Sequence, residues 1–199
     1  MGDRYQRERM IIDMIATYQE RSAGNMVIAR YISNPEYEGL NLEQIAEMFG
    51  CGAAEAALRL YEQGEAQVVN HSLHEDDVEL IAAHPMISVA SDGSSLSTQG
   101  ILATGKPHPR SYGTNPRFLA KFVRERQLVS LPEAIRRMTS LPASRLGLTR
   151  RGRVAPGYGA DLTLFDPEIV VDTATFEAPH SYAEGIPHVI VNGALVIED

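Results

Sequence analysis

The chain has 199 residues, a net charge of −8, 44% hydrophobic and 22% charged residues, an ordinary balance for a soluble globular fold of one domain or slightly more. The acidic charge, with no Lys/Arg cluster to set against it, excludes a nucleic-acid footprint, and the single cysteine, Cys51, excludes an internal disulfide framework. No apolar run approaches the roughly 18 residues of a membrane span, and Met1-Gly2-Asp3-Arg4 carries no apolar signal segment, so a cytoplasmic protein without membrane partners is expected.

The spacing predicts an amphipathic helix over residues 4–20, with Met10, Ile11, Met14, Ile15 and Tyr18 recurring at helical intervals. Ser22-Ala23-Gly24-Asn25 ends it, and Met26-Val27-Ile28-Ala29 reads as a short strand. Asn34-Pro35 opens a loop. Asn41 with Gln44 forms a capping box for a helix whose apolar face is Leu42, Ile45, Ala46 and Phe49, closed by Gly50. Ala53 to Gln63 is a second helix closed by Gly64, and Ala66 to Asn70 another short strand. Asn70-His71-Ser72 spells a glycosylation sequon by chance. Ser72 with Glu75 suggests a second capping box, for a helix through Ala83 that Pro85 terminates.

Ile87 to Thr114, ISVASDGSSLSTQGILATGKPHPRSYGT, organises the rest. Ile87-Ser88-Val89-Ala90 reads as a buried strand that breaks at Ser91-Asp92-Gly93. A carboxylate at the end of such a strand is where α/β enzymes place chemistry, although Asp-Gly is also a common turn pair. The Ser/Gly/Thr-rich loop that follows is long enough to suggest function or disorder, and it ends in His108-Pro109-Arg110. Asn115 to Arg126 is then a helix with Phe118, Leu119 and Phe122 buried. Ser130 and Glu133 propose a third capping box, before a face of Leu131, Ala134, Ile135 and Met138. Pro142 to Leu146 is one more turn, closed by Gly147. Helices alternating with short apolar strands favour a parallel sheet with crossover helices.

From Arg151 the texture becomes turn-rich. Leu162 to Phe165 and Val189 to Val191 are β runs, and Asn192-Gly193 before Ala194-Leu195-Val196-Ile197 is a strong hairpin signal. Residues 151–199 therefore read as a small β unit after an α/β body.

Several strings occur here in order: Ser91-Asp92-Gly93, His108-Pro109-Arg110-Ser111-Tyr112-Gly113-Thr114, Met138-Thr139-Ser140-Leu141-Pro142-Ala143 and Gly152 to Leu162. Phe165-Asp166-Pro167, Ala174-Thr175-Phe176-Glu177 and His188 to Gly193 follow. This series resembles the C-terminal part of the N-acyl-D-amino-acid deacylases (D-aminoacylases) of the amidohydrolase superfamily. The likeness is firm from about Ser91 onward and looser, mainly in helix pattern, from Ile11 to His84.

The resemblance implies an α/β fold: the C-terminal portion of a (β/α)8 barrel over residues 1–150, then a segment of a small β-sandwich over 151–199. It implies a zinc-dependent hydrolase of N-acyl-D-amino acids. Asp92 would be both a metal-site carboxylate and the base that shuttles a proton from water to the leaving amine. Arg110 would grip the substrate α-carboxylate, with His108 and Tyr112 beside it and the Ser94–Thr98 loop at the pocket mouth. A surface arginine and a hydrogen-bonding loop histidine are the plainer readings of Arg110 and His108. His180 and His188, in the β unit, are expected to be structural or exposed.

A full barrel takes about 250 residues, and the family's other ligands are absent from this sequence. His74-Glu75-Asp76 spells His-x-Asp but sits at a helix opening and reads as a capped, solvated turn; Cys51 reads as a small apolar residue. The remaining ligands, and activity, would come with an N-terminal barrel half as partner, and uncovered strand edges favour association with it or with a second copy. The alternatives are a catalytically incompetent amidohydrolase-like module that only folds or self-associates, and an unrelated α/β binding module.

Overall fold

The computed structural model describes residues 2–20 and 22–198, with side chains over 5–16 and 22–198. Met1, at the opening read for a signal segment, and the side chain of Tyr18, expected on the first helix's apolar stripe, lie outside the described residues. The chain forms two compact units.

The first unit comprises Met1–Ser72 with Gln99–His108 and Phe176–Pro179. Its first helix, α1, spans Gly2–Glu20. On the expected stripe, Ile11 and Met14 are half-buried but Met10 and Ile15 are exposed. Strands β1 (Met26–Tyr31) and β2 (Ala66–Asn70) pair antiparallel, with a bulge between Ile28 and Arg30. Helices α2 (Leu42–Phe49) and α3 (Ala53–Gln63) cover them. The capping box on α2 is present as expected: Asn41 N–H donates to Gln44 Oε1 and Gln44 N–H to Asn41 Oδ1, both at 2.9 Å. Gly50 ends the helix at φ +60, where a Cβ would be strained. Ile28, Tyr31, Leu42, Ile45, Ala56 and Leu60 close one core. Tyr31 is fully buried, and its hydroxyl donates to the Leu60 carbonyl at 2.9 Å, which satisfies the only polar atom of its side chain.

The second unit comprises Leu73–Thr98, Pro109–Thr175 and His180–Asp199. Helix α4 (Glu75–Ala83) is followed by α5 (Arg110–Arg117), which runs on as a π-helical stretch, Phe118–Glu125. Pro116 lacks the N–H that would continue the α-helical ladder, and beyond it Arg126 N–H reaches back five residues to the Lys121 carbonyl at 2.8 Å. Helices α6 (Leu131–Met138) and α7 (Ser140–Arg145) follow. Phe118, Leu119 and Phe122 are buried as expected, with Ala82, Val129, Ala134 and Val170, and Leu131, Ile135 and Met138 lie against them. Strands β3 (Leu162–Leu164), β4 (His188–Val191) and β5 (Ala194–Glu198) form an antiparallel sheet in the order β3-β4-β5. The expected hairpin turn has Asn192 at φ +50 and Gly193 at φ +82, both in the left-handed region that this turn requires.

Five expectations are corrected. Both sheets among the described residues are antiparallel, so the parallel sheet read from alternating helices and strands is not formed. Ile87 to Ala90 is not in a strand; with no neighbouring strand to pair with, the Val89 N–H donates to the Arg137 carbonyl at 3.1 Å. The helix placed at Asn115 begins at Arg110, directly after Pro109 and in spite of Gly113, whose lack of a side chain the packing requires because a Cβ there would lie 2.5 Å from the Asp172 Cβ. The cap of α4 is His74, whose Nδ1 accepts from Asp76 N–H at 3.3 Å in place of Ser72, and Ser130 precedes α6 without a side-chain cap bond, Glu133 being turned to Arg136 at 2.7 Å.

Candidate active-site segment

The segment is built where Ile87 to Ala90 runs into Ser91-Asp92-Gly93. Two hydrogen bonds from one residue hold the approach: Arg137 Nε donates to the Ile87 carbonyl at 2.6 Å, and the Arg137 carbonyl accepts from Val89. Arg137 is fully buried. Its Nη1 donates to the Ala82 carbonyl at the end of α4, and its guanidinium lies 5.2 Å from the Phe118 ring centroid. Burial, its largest influence, lowers its affinity for the proton from the usual arginine value. Among the described residues its Nη2 has no hydrogen-bond partner.

Asp92 stands at φ +46, a left-handed conformation that an aspartate adopts more readily than most residues. Its carboxylate pairs with Arg110 Nη2 at 2.9 Å, with the aspartate side chain 89% exposed and the arginine 44%. Gly93 has to be glycine, since a Cβ there would lie 2.8 Å from the Ser111 Cα. Ser94 N–H then donates to Ser111 Oγ at 3.3 Å, and Tyr112 Oη donates to the Ser97 carbonyl at 2.9 Å. Three consecutive residues in the first turn of α5, Arg110, Ser111 and Tyr112, thus hold Asp92, Ser94 and Ser97 in register.

Of the residues expected at the site, Asp92, Arg110 and Tyr112 belong to this second unit, and the first two are in contact. The Tyr112 hydroxyl is occupied by Ser97 and by His180 Nδ1, the latter at 2.9 Å, and burial, followed by the neighbouring Tyr182, raises its pKa. His108 belongs to the first unit, where its ring meets the edge of Phe176 at 4.9 Å. Sequence reasoning gave no role to Ser111, although it adjoins Arg110 in the same motif. Tyr182 and Arg137 were also missed, and no local signal marks them; His180 was expected only to be structural or exposed, with no partner assigned. His180 is half-buried and bonded; His188 is also half-buried.

Zinc requires about three protein ligands brought together. Among the described residues no three His, Cys, Asp or Glu side chains converge in that way. Cys51 lies half-buried against the first core, and His74 is spent on a helix cap. The donor set of the described residues does not by itself fit a zinc ion.

The family model described as Amidohydrolase family matches residues 35–197. The chain belongs to the amidohydrolase family. This amidohydrolase chain is 40% identical over 163 residues to N-acyl-D-glutamate deacylase of Alcaligenes xylosoxydans xylosoxydans, covering 82% of this chain and 31% of that protein. It superposes with a TM-score of 0.78, at 38% identity, on the crystal structure of N-acyl-D-glutamate deacylase from Bordetella bronchiseptica complexed with zinc and a phosphonate mimic of the tetrahedral intermediate, covering 88% of this chain and 35% of that one. A crystal structure of D-aminoacylase matches equally well, with a TM-score of 0.78 at 40% identity, over 89% of this chain and 35% of that one. The family expected from the motifs between Ser91 and Gly193 is the one found. The amidohydrolase chain spans about a third of the length of these relatives. None of its described helices is long and apolar enough to cross a membrane.

Proposed function

We propose that this chain is part of a metal-dependent amidohydrolase that cleaves the amide bond of N-acyl-D-amino acids. The observation that carries the reading is the Asp92–Arg110 pair at the end of the Ile87–Ala90 segment, 2.9 Å across, in a chain 40% identical to a deacylase. A carboxylate accepts a proton from an attacking water and can return it to a leaving amine. An arginine fork binds and orients a substrate carboxylate. Asp92 takes the first role and Arg110 the second, with Tyr112 and His108 contributing to substrate binding. Residues 1–150 contribute to the barrel and 151–199 to the small β-sandwich, a division supported by the antiparallel β3-β4-β5 sheet.

The relatives' threefold greater length and the incomplete donor set among the described residues support a second element of the proposal: activity requires an N-terminal barrel half that supplies the remaining zinc ligands. A homo-oligomer is the alternative association. The single cysteine supports a reducing, cytoplasmic setting. The incomplete donor set equally favours the competing reading, an incompetent amidohydrolase-like module. The two separate on one experiment: the chain is co-expressed with the N-terminal half of a deacylase relative and offered N-acetyl-D- and N-acetyl-L-amino acids. Release of the D-amino acid alone, dependent on Asp92, is expected. A stable complex without hydrolysis would support the incompetent module.

A further inference from the structure

We infer that His180 is a positioning residue of this segment: its Nδ1–H donates to Tyr112 and so commits the tyrosine's only proton to the Ser97 carbonyl. One assignment serves both contacts of the Tyr112 hydroxyl. Tyr112 Oη lies 2.9 Å from the Ser97 carbonyl oxygen and 2.9 Å from His180 Nδ1. A carbonyl can only accept, and a tyrosine hydroxyl has one hydrogen, so serving Ser97 requires His180 Nδ1 to be the donor.

The neighbouring residues are directed in the same way. Thr173 Oγ1 donates its one hydrogen to the Tyr182 carbonyl at 2.7 Å, so Ser181 Oγ, 2.5 Å from Thr173 Oγ1, must donate to that threonine hydroxyl. Tyr182 in turn reaches Ser97 Oγ at 3.4 Å, and its ring meets that of Tyr112 edge-on at 6.1 Å. Residues 180–182 are therefore tied down by Thr173 on one side and hold Tyr112 and Ser97 on the other. The loop they fix starts two residues after Asp92. The placement of that carboxylate in a pocket rests on the function proposed above, whereas the hydrogen-bond direction does not.

The test is made on the full 199-residue chain. Long-range proton–nitrogen NMR on the labelled protein, with His180→Asn used to assign the ring, reads which nitrogen carries hydrogen. A protonated Nδ1 is expected; a hydrogen on Nε2 alone would overturn the inference. Amide hydrogen exchange then reads the consequence. His180→Ala should speed exchange across Ser94–Thr98 about fivefold, the loss of one hydrogen bond, with β4 and β5 unchanged. His180→Asn, whose amide can donate from a similar place, should restore the slow rate. Unchanged loop exchange in His180→Ala would also overturn it. Neither readout involves hydrolysis, so failure of the deacylase reading leaves this result standing, and the reverse. Should His180→Ala fail to fold, the nitrogen measurement on the unaltered chain decides alone.

Discussion

Arg137 Nε donates to the carbonyl of Ile87 at 2.6 Å, from a guanidinium with no exposed surface. The bond joins α6 to the residue that starts the approach to Asp92. Replacement by methionine keeps the length of the side chain and removes the charge, but it leaves the Ala82 and Ile87 carbonyls without their donor. Each stranded carbonyl costs about 1–3 kcal/mol, part of which is offset because a buried cation is no longer desolvated. Arg137→Met should therefore lower stability by about 2–4 kcal/mol, read as a fall in the urea midpoint at unchanged slope. A midpoint within error of the unaltered chain would mean that Arg137 does not hold the approach.

In the enzyme reconstituted with the barrel half, Asp92→Asn should abolish turnover and leave the fold intact, since the exposed amide keeps the shape but cannot take up a proton. Arg110→Lys should act on binding. Loss of the planar fork at constant charge should raise KM by an amount corresponding to roughly 1–3 kcal/mol, and the effect should vanish for a substrate analogue whose carboxylate is a neutral amide. Equal losses with acid and amide would assign Arg110 to holding Asp92 alone.

Zinc retention should separate this chain from the Bordetella bronchiseptica deacylase crystallised with zinc. Dialysed alone against a mild chelator, the protein should hold well below one zinc per chain, because among the described residues no set of three donors converges. Stoichiometric zinc by atomic absorption would show that the ligands are assembled within this chain after all.

Acid should loosen α1 from α3. Glu55 accepts from both Arg7, at 2.8 and 2.9 Å, and Arg59, at 2.8 Å. The bonds from Arg7, then Arg59, hold its carboxyl at about 2, below the usual 4.5. A depressed folded-state value means that the charged form is favoured by folding. The contribution is fully present above pH 4.5 and is lost as pH falls toward 2. Amide exchange in α1 should accelerate through that window, and Glu55→Gln should show the faster rate already at neutral pH with no further step.

Gly185 sits at φ +80, where a Cβ would come within 2.7 Å of the Val170 Cα. Val170 is fully buried, so its backbone cannot retreat into solvent. Gly185→Ala should destabilise by about 1–3 kcal/mol, the range for forced backbone strain, with a lowered melting midpoint as the readout.

Short-range chemistry was legible in the sequence. The Asn41–Gln44 box, the Gly50 stop, the Asn192-Gly193 turn and the buried face of Phe118, Leu119 and Phe122 all depend on residues within a few positions of one another. The ordered motifs from Ser91 onward were enough to name the family. What depended on distant partners was not legible. Ile87 to Ala90 has the composition of a strand, but a strand exists only as half of a ladder, and here its N–H is taken by Arg137, some fifty residues away. Arg136 and Arg137 are indistinguishable as letters. One is turned outward to Glu133 and the other is sealed in the core, and only the packing of α4, α6 and Phe118 decides which. The direction of the His180–Tyr112–Ser97 chain likewise belongs to the tertiary structure, because a hydroxyl's single hydrogen is allotted by all the acceptors that the fold brings within reach.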